Sequence, residues 1–495
     1  MTEEHRRQHR YFRKRRSGVL LHPTSLPTAD GPLGEDAYRF TRFLADAGFT
    51  LWQMLPVNSI GGQYASPYQG TSVNAGNPWL INRNRLCREP WLDETFEEHN
   101  GMPALSLRGL ISLARGRFAE RATPTEQQAY LEFKQRHVWW LEDYALYCAL
   151  KEHHDLAPWW CWPEALRRRD AATLASFTRS RASRLEDYYF EQFIFYRQWG
   201  DLKRYANQRG ILLFGDLPIL IAHDSVDVWA NTHHFKLDPE GQPVAVAGVP
   251  PDYFSASGQR WGNPLYNWRT IAHQNFQWWV NRLRSQLTLF DIVRLDHFRG
   301  FVSLWEIPAG CNSAVEGRWQ PVPGRALLNV LKREFGDLPI VAEDLGTISQ
   351  EVLDLRDEFH LPGMKVLLFA FESDNNNPYL PHNHDLKSVV YTGTHDNNTA
   401  LGWFSSLDDA RQLRVLEYLQ YPREAMPWPL INTALSSVCP TAILPMQDLL
   451  GLDGSHRMNT PGTTAGNWGW HFEWEWLSPY LIQKLRRLNE IYARI

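Results

Sequence analysis

The sequence predicts an α/β chain folded as a (β/α)8 TIM barrel with inserted helical and loop-rich subdomains, and three observations carry that prediction. Eight short β-rich runs recur along the chain, each followed by a stretch with helical character, which is the alternation of a parallel sheet. Three of these runs end in acidic residues, and a barrel gathers its chemistry where its strands end. A length of 495 residues accommodates one large barrel carrying insertions.

In chain order the runs are GVLLH (18–22), TLWQMLPV (50–57), ILLFGDLP (211–218), FDIVRLDHF (290–298), LPIVAEDL (338–345), GMKVLLFAF (363–371), SVVYTGTHD (388–396) and TAILPMQD (441–448). Their uneven spacing locates the insertions. Residues 80–210 hold more than one crossover helix, including TEQQAYLEFKQRHVWWLEDYALYCALKEHH and RLEDYYFEQFIFYRQWGDLKRYANQRG, both with apolar residues at helical spacing. A helical insertion is expected there. Residues 220–270 are rich in Pro, Gly, Asp and Trp with weak periodicity, so an ordered, loop-rich insertion is expected beside the strand ends. A single catalytic barrel then spans 17–495, and residues 1–16, MTEEHRRQHRYFRKRR, are expected to form a basic, mobile tail.

Charge is nearly balanced, with 51 Lys and Arg against 55 Asp and Glu, so no global field favours a nucleic acid or an acidic membrane. No apolar run approaches the length of a membrane span. The five cysteines are odd in number, far apart and outside any CxxC pair, which argues against a disulfide framework or zinc ribbon and for a reducing, cytoplasmic location. Small neutral ligands suit such a chain. Its 22 Trp, 19 Tyr and 24 Phe offer the flat amphipathic surfaces on which sugars stack, although a tryptophan-rich core accounts for the same numbers.

In FDIVRLDHFRG the strand period of two puts Ile292, Arg294 and Asp296 on one face and Val293 and Leu295 on the other. With the apolar pair against the outer helices, Arg294 and Asp296 point inward at the barrel rim. A neighbouring guanidinium favours the ionised carboxylate, the form a nucleophile needs. A structural ion pair closing the strand is the alternative. Two further strands end alike, IVAEDLG with Glu343 and Asp344, and YTGTHDNN with His395 and Asp396. Asp344 stands where it would cap the following helix. Inward acids at three separate strand ends exceed what capping requires.

Two carboxylates on a rim with a third nearby can cleave a glycosidic bond through a covalent intermediate, one attacking the anomeric carbon and the other protonating the leaving oxygen. Asp296, partnered by Arg294, is the expected nucleophile. His22, His223, Asp224, His297, His395 and Asp396 also fall near strand ends, but without an HExxH or comparable ligand pair, so neither a metal nor an organic cofactor is expected.

The motifs LHPTSLP, YASPYQG with AGNPWLI, GDLPILIAHDSVDVWA, GVPPDYFSASGQRWGNPLY, VRLDHFRG, VAEDLG, LPGMKVLLFAF, TGTHDNN and RMNTPGTTAGNWGW follow one another along nearly the whole chain. In them the sequence resembles the 4-α-glucanotransferases of the amylomaltase or disproportionating-enzyme type, retaining barrels of the α-amylase clan. The resemblance implies Asp296 as nucleophile, Glu343 as general acid/base and Asp396 as transition-state stabiliser. Arg294 and His395 would assist around the sugar, with Asp216 of GDLP near the same subsite unless it caps its strand. GVPPDYFSASGQRWGNP resembles a loop arching over the substrate groove, with Asp252, Gln259 and Trp261 touching sugar; Tyr253 and Asn263 suit stacking and hydrogen bonding there. Tyr64, Ser66 and Tyr68 resemble an outer binding surface, and MNTPGTTAGNWGW a second lid with Asn467 contacting sugar.

The partners so implied are malto-oligosaccharides and α-1,4-glucans, as donor and acceptor. Either a sugar hydroxyl or water can intercept the glycosyl-enzyme, and lids that exclude water decide between them, so transfer rests on the resemblance. A retaining α-glucan hydrolase and a non-catalytic glucan-binding protein are the alternatives. Against the latter, all three acids are present. Leu220, Leu368, Asn398, Trp79 and His471 depart from the family pattern and bear on chain-length preference.

Overall fold

A computed structural model describes residues 9–28, 30–62, 65–92, 106–251 and 257–495. Tyr64, Asp252, Tyr253 and the first eight residues of the basic tail lie outside the described residues. In chain order the strands are β1 (Arg16–Leu20), β2 (Leu51–Gln53), β3 (Leu212–Leu217), β4 (Ala245–Val249), β5 (Gln259–Pro264) and β6 (Ile292–Leu295). They continue with β7 (Ser303–Pro308), β8 (Arg318–Pro321), β9 (Ile340–Ala342), β10 (Gly363–Val366), β11 (Ser388–Tyr391) and β12 (Thr441–Pro445). Eight are parallel and pair in the order β10-β11-β12-β1-β2-β3-β6-β9, so each predicted run supplies one strand of a barrel.

Apart from β1, which begins two residues earlier and has the same length, the barrel strands are shorter than the runs that predict them. β6 stops at Leu295 and β9 at Ala342, so Asp296 and Glu343 lie just past the ladder, where their side chains reach the rim. The seam between β9 and β10 closes differently. Ala342 N–H donates to the Pro362 carbonyl at 2.8 Å, Met364 N–H donates to Asp344 Oδ1 at 2.7 Å, and Arg356 pairs with the other Asp344 oxygen. Asp344 therefore closes the barrel and does not cap the next helix, because successive side chains diverge and Glu343 takes the groove side. A Cβ at position 363 would collide with that carboxylate, which explains Gly363.

The helical insertion is a buttress continuous with the barrel. Helices Leu107–Arg121 and Pro124–His153 pack on helix Ala182–Gln208, and Thr123 with Glu126 forms a capping box at the start of the second. The third helix also serves as the crossover into β3. Its Trp199 is buried against Phe290 and donates to the Leu289 carbonyl at 2.9 Å. Two buried glutamines on this helix each make a two-pronged bond to loop backbone: Gln192 to the N–H and carbonyl of Gly76, and Gln198 to those of Asn82. This double pin holds the AGNPWLI segment (75–81) against the helix.

Within the segment 220–270, expected to be loop-rich, the structure contains two strands. β4 and β5 join β7 and β8 in a four-stranded antiparallel sheet ordered β5-β4-β7-β8. Glycines and prolines conceal these strands in the sequence, and half of the sheet comes from residues beyond 300. Among the described residues no helix is long and apolar enough to cross a membrane.

The first described residues and the C-terminal residues meet on the opposite face of the barrel. The described part of the basic tail is anchored there, with Phe12 buried and Arg15 donating to the carbonyls of Tyr492, Ser437 and Leu435. Arg494 is fully buried and donates to the carbonyls of Leu435, Ala434, Ser437, Cys439, Pro440 and Arg16, capping helix Trp428–Ser436 with a positive charge. Arg494→Ala is expected to destabilise the fold by about 3 kcal/mol through the buried carbonyls left unpaired. The check is the midpoint of thermal or urea unfolding; an unchanged midpoint would show that the arginine is dispensable.

Candidate active site

Register begins the site. The β3–β6 pairing sets Asp216 beside Arg294, and both side chains turn to the barrel interior. Arg294, only 5% exposed, donates from Nη1 to Asp216 Oδ2 at 2.5 Å and from Nη2 to Asp296 Oδ1 at 2.8 Å. Burial alone would weaken this guanidinium's hold on its proton, but the two carboxylates outweigh it and hold its pKa well above the ordinary value. The Asp216 side chain is 1% exposed, whereas those of Asp296 and Asp396 are 27% and 44% exposed. Asp296 and Asp396 can meet a ligand, and Asp216 anchors the arginine from behind. It does not act as a strand cap.

Tyr68 ties this pair to β11. Its hydroxyl donates to Asp216 Oδ2 at 2.7 Å and lies 2.8 Å from His395 Nε2, and its ring stacks on that imidazole at 5.4 Å. A His395 proton on Nε2 completes a directional chain from imidazole through phenol to carboxylate. Burial, reinforced by Asp216, holds the phenol pKa far above its usual range, so the hydroxyl remains a donor.

Glu343 occupies the next strand end. His297 N–H donates to its Oε2 at 2.7 Å and Leu345 N–H donates to its Oε1 at 2.9 Å, so both oxygens are held by backbone. His297 adopts left-handed backbone, φ 51°, which aims its N–H at Glu343. Desolvation is the largest influence on Glu343; with the nearby Asp296 charge it outweighs Arg294 and the two N–H donors and raises the pKa to about 7. Near neutrality this carboxyl is poised between acid and base. Asp396 accepts from Asn459 Nδ2 at 2.6 Å through Oδ1, while its Oδ2 lies 3.3 Å from His395 Nε2.

Asp296, Glu343, Asp396, Arg294, Ser66, Tyr68, Gln259, Trp261 and Asn263 line one open groove of about 920 Å³. On β5, Trp261 donates to Gln259 Oε1 at 3.1 Å and stands edge-on to His297 at 4.9 Å, projecting an indole beside the acids. Asn263 is less available than expected, since its Nδ2 donates to the Ile221 carbonyl at 2.8 Å. Asn467 is directed elsewhere: Oδ1 accepts from Thr460 N–H and Nδ2 donates to Thr463. It braces the turn over 460–467, while Asn459, Pro461, Gly462 and Trp468 line the groove. Sequence reasoning missed Asn459, Trp468 and Tyr379. RMNTPGT contained the first of these, but residue type alone does not rank two asparagines of one lid.

The residues weighed as metal ligands disperse. His223 stacks on Trp160 at 3.9 Å and Asp224 takes Lys151 and Tyr147, away from the acids. Among the described residues no three His, Cys, Asp or Glu side chains gather around one point. The protonation of Glu343 is directly measurable. Difference infrared spectroscopy is expected to show a protonated carboxyl band that disappears as pH rises through about 7 and is absent from Glu343→Gln; titration near 4 would contradict the desolvated environment.

A family model described as 4-alpha-glucanotransferase matches residues 21–477. A Synechocystis sp. 4-alpha-glucanotransferase is 46% identical, with 97% of this chain and 98% of the relative covered. That of Thermus thermophilus is 45% identical, with 97% and 99% covered. The solved amylomaltase of Streptococcus agalactiae, in complex with acarbose, superimposes with a TM-score of 0.91 at 36% identity, covering 97% of this chain and all of that one. Eight parallel strands, a rim of three acids and near-complete alignment to these proteins lead to one assignment: the chain belongs to the 4-alpha-glucanotransferase family.

Proposed function

We propose that this 4-alpha-glucanotransferase moves α-1,4-glucan segments between malto-oligosaccharides by double displacement, with Asp296 as nucleophile, Glu343 as general acid/base and Asp396 as transition-state stabiliser. The observation that carries the reading is the contrast between two acids of one groove. Asp296 accepts a hydrogen bond from the Arg294 guanidinium at 2.8 Å, while Glu343 is held near pKa 7 by desolvation.

In the first step an Asp296 oxygen bonds to the anomeric carbon as the glycosidic bond breaks, and Glu343 gives its proton to the departing 4-oxygen. In the second, an acceptor 4-hydroxyl attacks that carbon, Glu343 takes its proton back and the Asp296 bond breaks. Asp396, oriented by Asn459 and His395, faces the sugar and gains in interaction as positive charge develops. Trp261 and Trp468 supply stacking faces along the groove. Cys148, Cys161, Cys311 and Cys439 are free thiols, which supports work in a reducing compartment such as the cytoplasm.

Incubation with maltotriose alone is expected to yield glucose together with a ladder of longer oligomers; glucose and maltose alone would make the protein a hydrolase. Asp296→Ala is expected to abolish both product classes while leaving the folded spectrum unchanged, and retained activity would remove Asp296 from the role. First-step kcat/KM should fall as pH rises through about 7, because the general acid then loses its proton. Tyr68→Phe keeps the ring stack but removes the hydroxyl, and a loss of about tenfold in kcat/KM is expected from the weakened Asp216–His395 link.

A further inference from the structure

The 457–468 segment both lines the groove and touches one of the three acids. Asn459 donates to Asp396 Oδ1 at 2.6 Å, and Arg457 Nη2 donates to the Asp396 backbone carbonyl at 2.8 Å. Two residues on, Pro461 and Gly462 face the groove, as does Trp468. The segment is closed on itself, since Trp468 N–H donates to the Met458 carbonyl at 2.8 Å and Asn467 bridges Thr460 and Thr463. These internal bonds tie it together as a compact Ω-loop. Asn459 shares the Asp396 carboxylate with His395, one oxygen each, and it comes from 63 residues away in sequence.

We infer that Asn459 is a positioning residue that couples the seating of a glucan against the 457–468 segment to the orientation of Asp396. The inference rests on the proposed role of Asp396 in glycosyl transfer. A neutral amide suits the task. It fixes one carboxylate oxygen by a directed bond and adds no positive charge of its own, so it leaves more of the carboxylate's charge for the developing oxocarbenium ion than a lysine or arginine at that oxygen would. A ligand packed on Pro461, Gly462 and Trp468 holds the segment, and through Asn459 it holds the carboxylate. The linkage favours Asp396 alignment when the groove is filled.

The test uses the full-length protein and maltotriose. Asn459→Ala is expected to lower kcat by about 10- to 100-fold while KM changes less than about threefold, the pattern of an interaction made in the transition state. Asn459→Asp is nearly isosteric and sets a second carboxyl against Asp396; the two cannot both ionise at this separation. The introduced carboxyl can still donate while it is protonated, so the activity of Asn459→Asp should recover at low pH and its optimum should move to more acid pH than that of the parent. A merely structural residue would not move the pH profile. Thermal unfolding of both variants is compared with the parent, and Asp396→Asn is assayed alongside. If Asp396→Asn is inactive while Asn459→Ala matches the parent, or while Asn459→Asp keeps the parental profile, the positioning role is overturned and the catalytic assignment stands. If Asp396→Asn remains active, the catalytic reading fails and the inference with it.

Discussion

The site depends on a buried cation shared by two carboxylates. Arg294 sits almost wholly out of water between Asp216 and Asp296, each of which accepts a hydrogen bond from its guanidinium. Removing one member of such a buried set typically costs about 3–5 kcal/mol, so the geometry is tightly held. The alignment comes from parallel register, which places Asp216 opposite Arg294 across β3 and β6. Tyr68 and His395 then extend the arrangement to the far side of the barrel. Chemistry at the rim and closure of the sheet are thus parts of one structure.

The same neighbourhood separates the two acids that must behave differently. Asp296 faces the guanidinium directly, whereas Glu343 is reached by two backbone N–H groups and is half-buried at the groove wall. Desolvation decides the second case because both N–H donors and Arg294 together fail to offset it. The left-handed backbone at His297 is part of this arrangement: it lets the residue after Asp296 turn back and hold Glu343.

Away from the rim, long-range anchors fix two loops. Gln192 and Gln198 clamp the backbone of one loop onto the insertion helix, and Asn459 joins a second loop to Asp396. The aromatic excess divides between the two readings its composition allowed. Trp52, Trp91, Trp159, Trp199, Trp229 and Trp279 are fully buried core, while Trp261 and Trp468 line the groove.

The sequence by itself determined the eight barrel strands and the inward pair Arg294 and Asp296, because strand periodicity and the location of charge are local properties of the chain. Resemblance of long motifs added the candidate roles of Glu343 and Asp396. Only the tertiary structure decided that Asp344 closes the β9–β10 seam, that residues near 250 and 310 share one antiparallel sheet, and that Asn459 meets Asp396 while Asn467 braces its own loop. Each of these depends on partners distant in sequence and on which side chain a neighbour has already satisfied. The protonation of Glu343 belongs with them, since desolvation is set by everything that packs around a group and by nothing in its own motif.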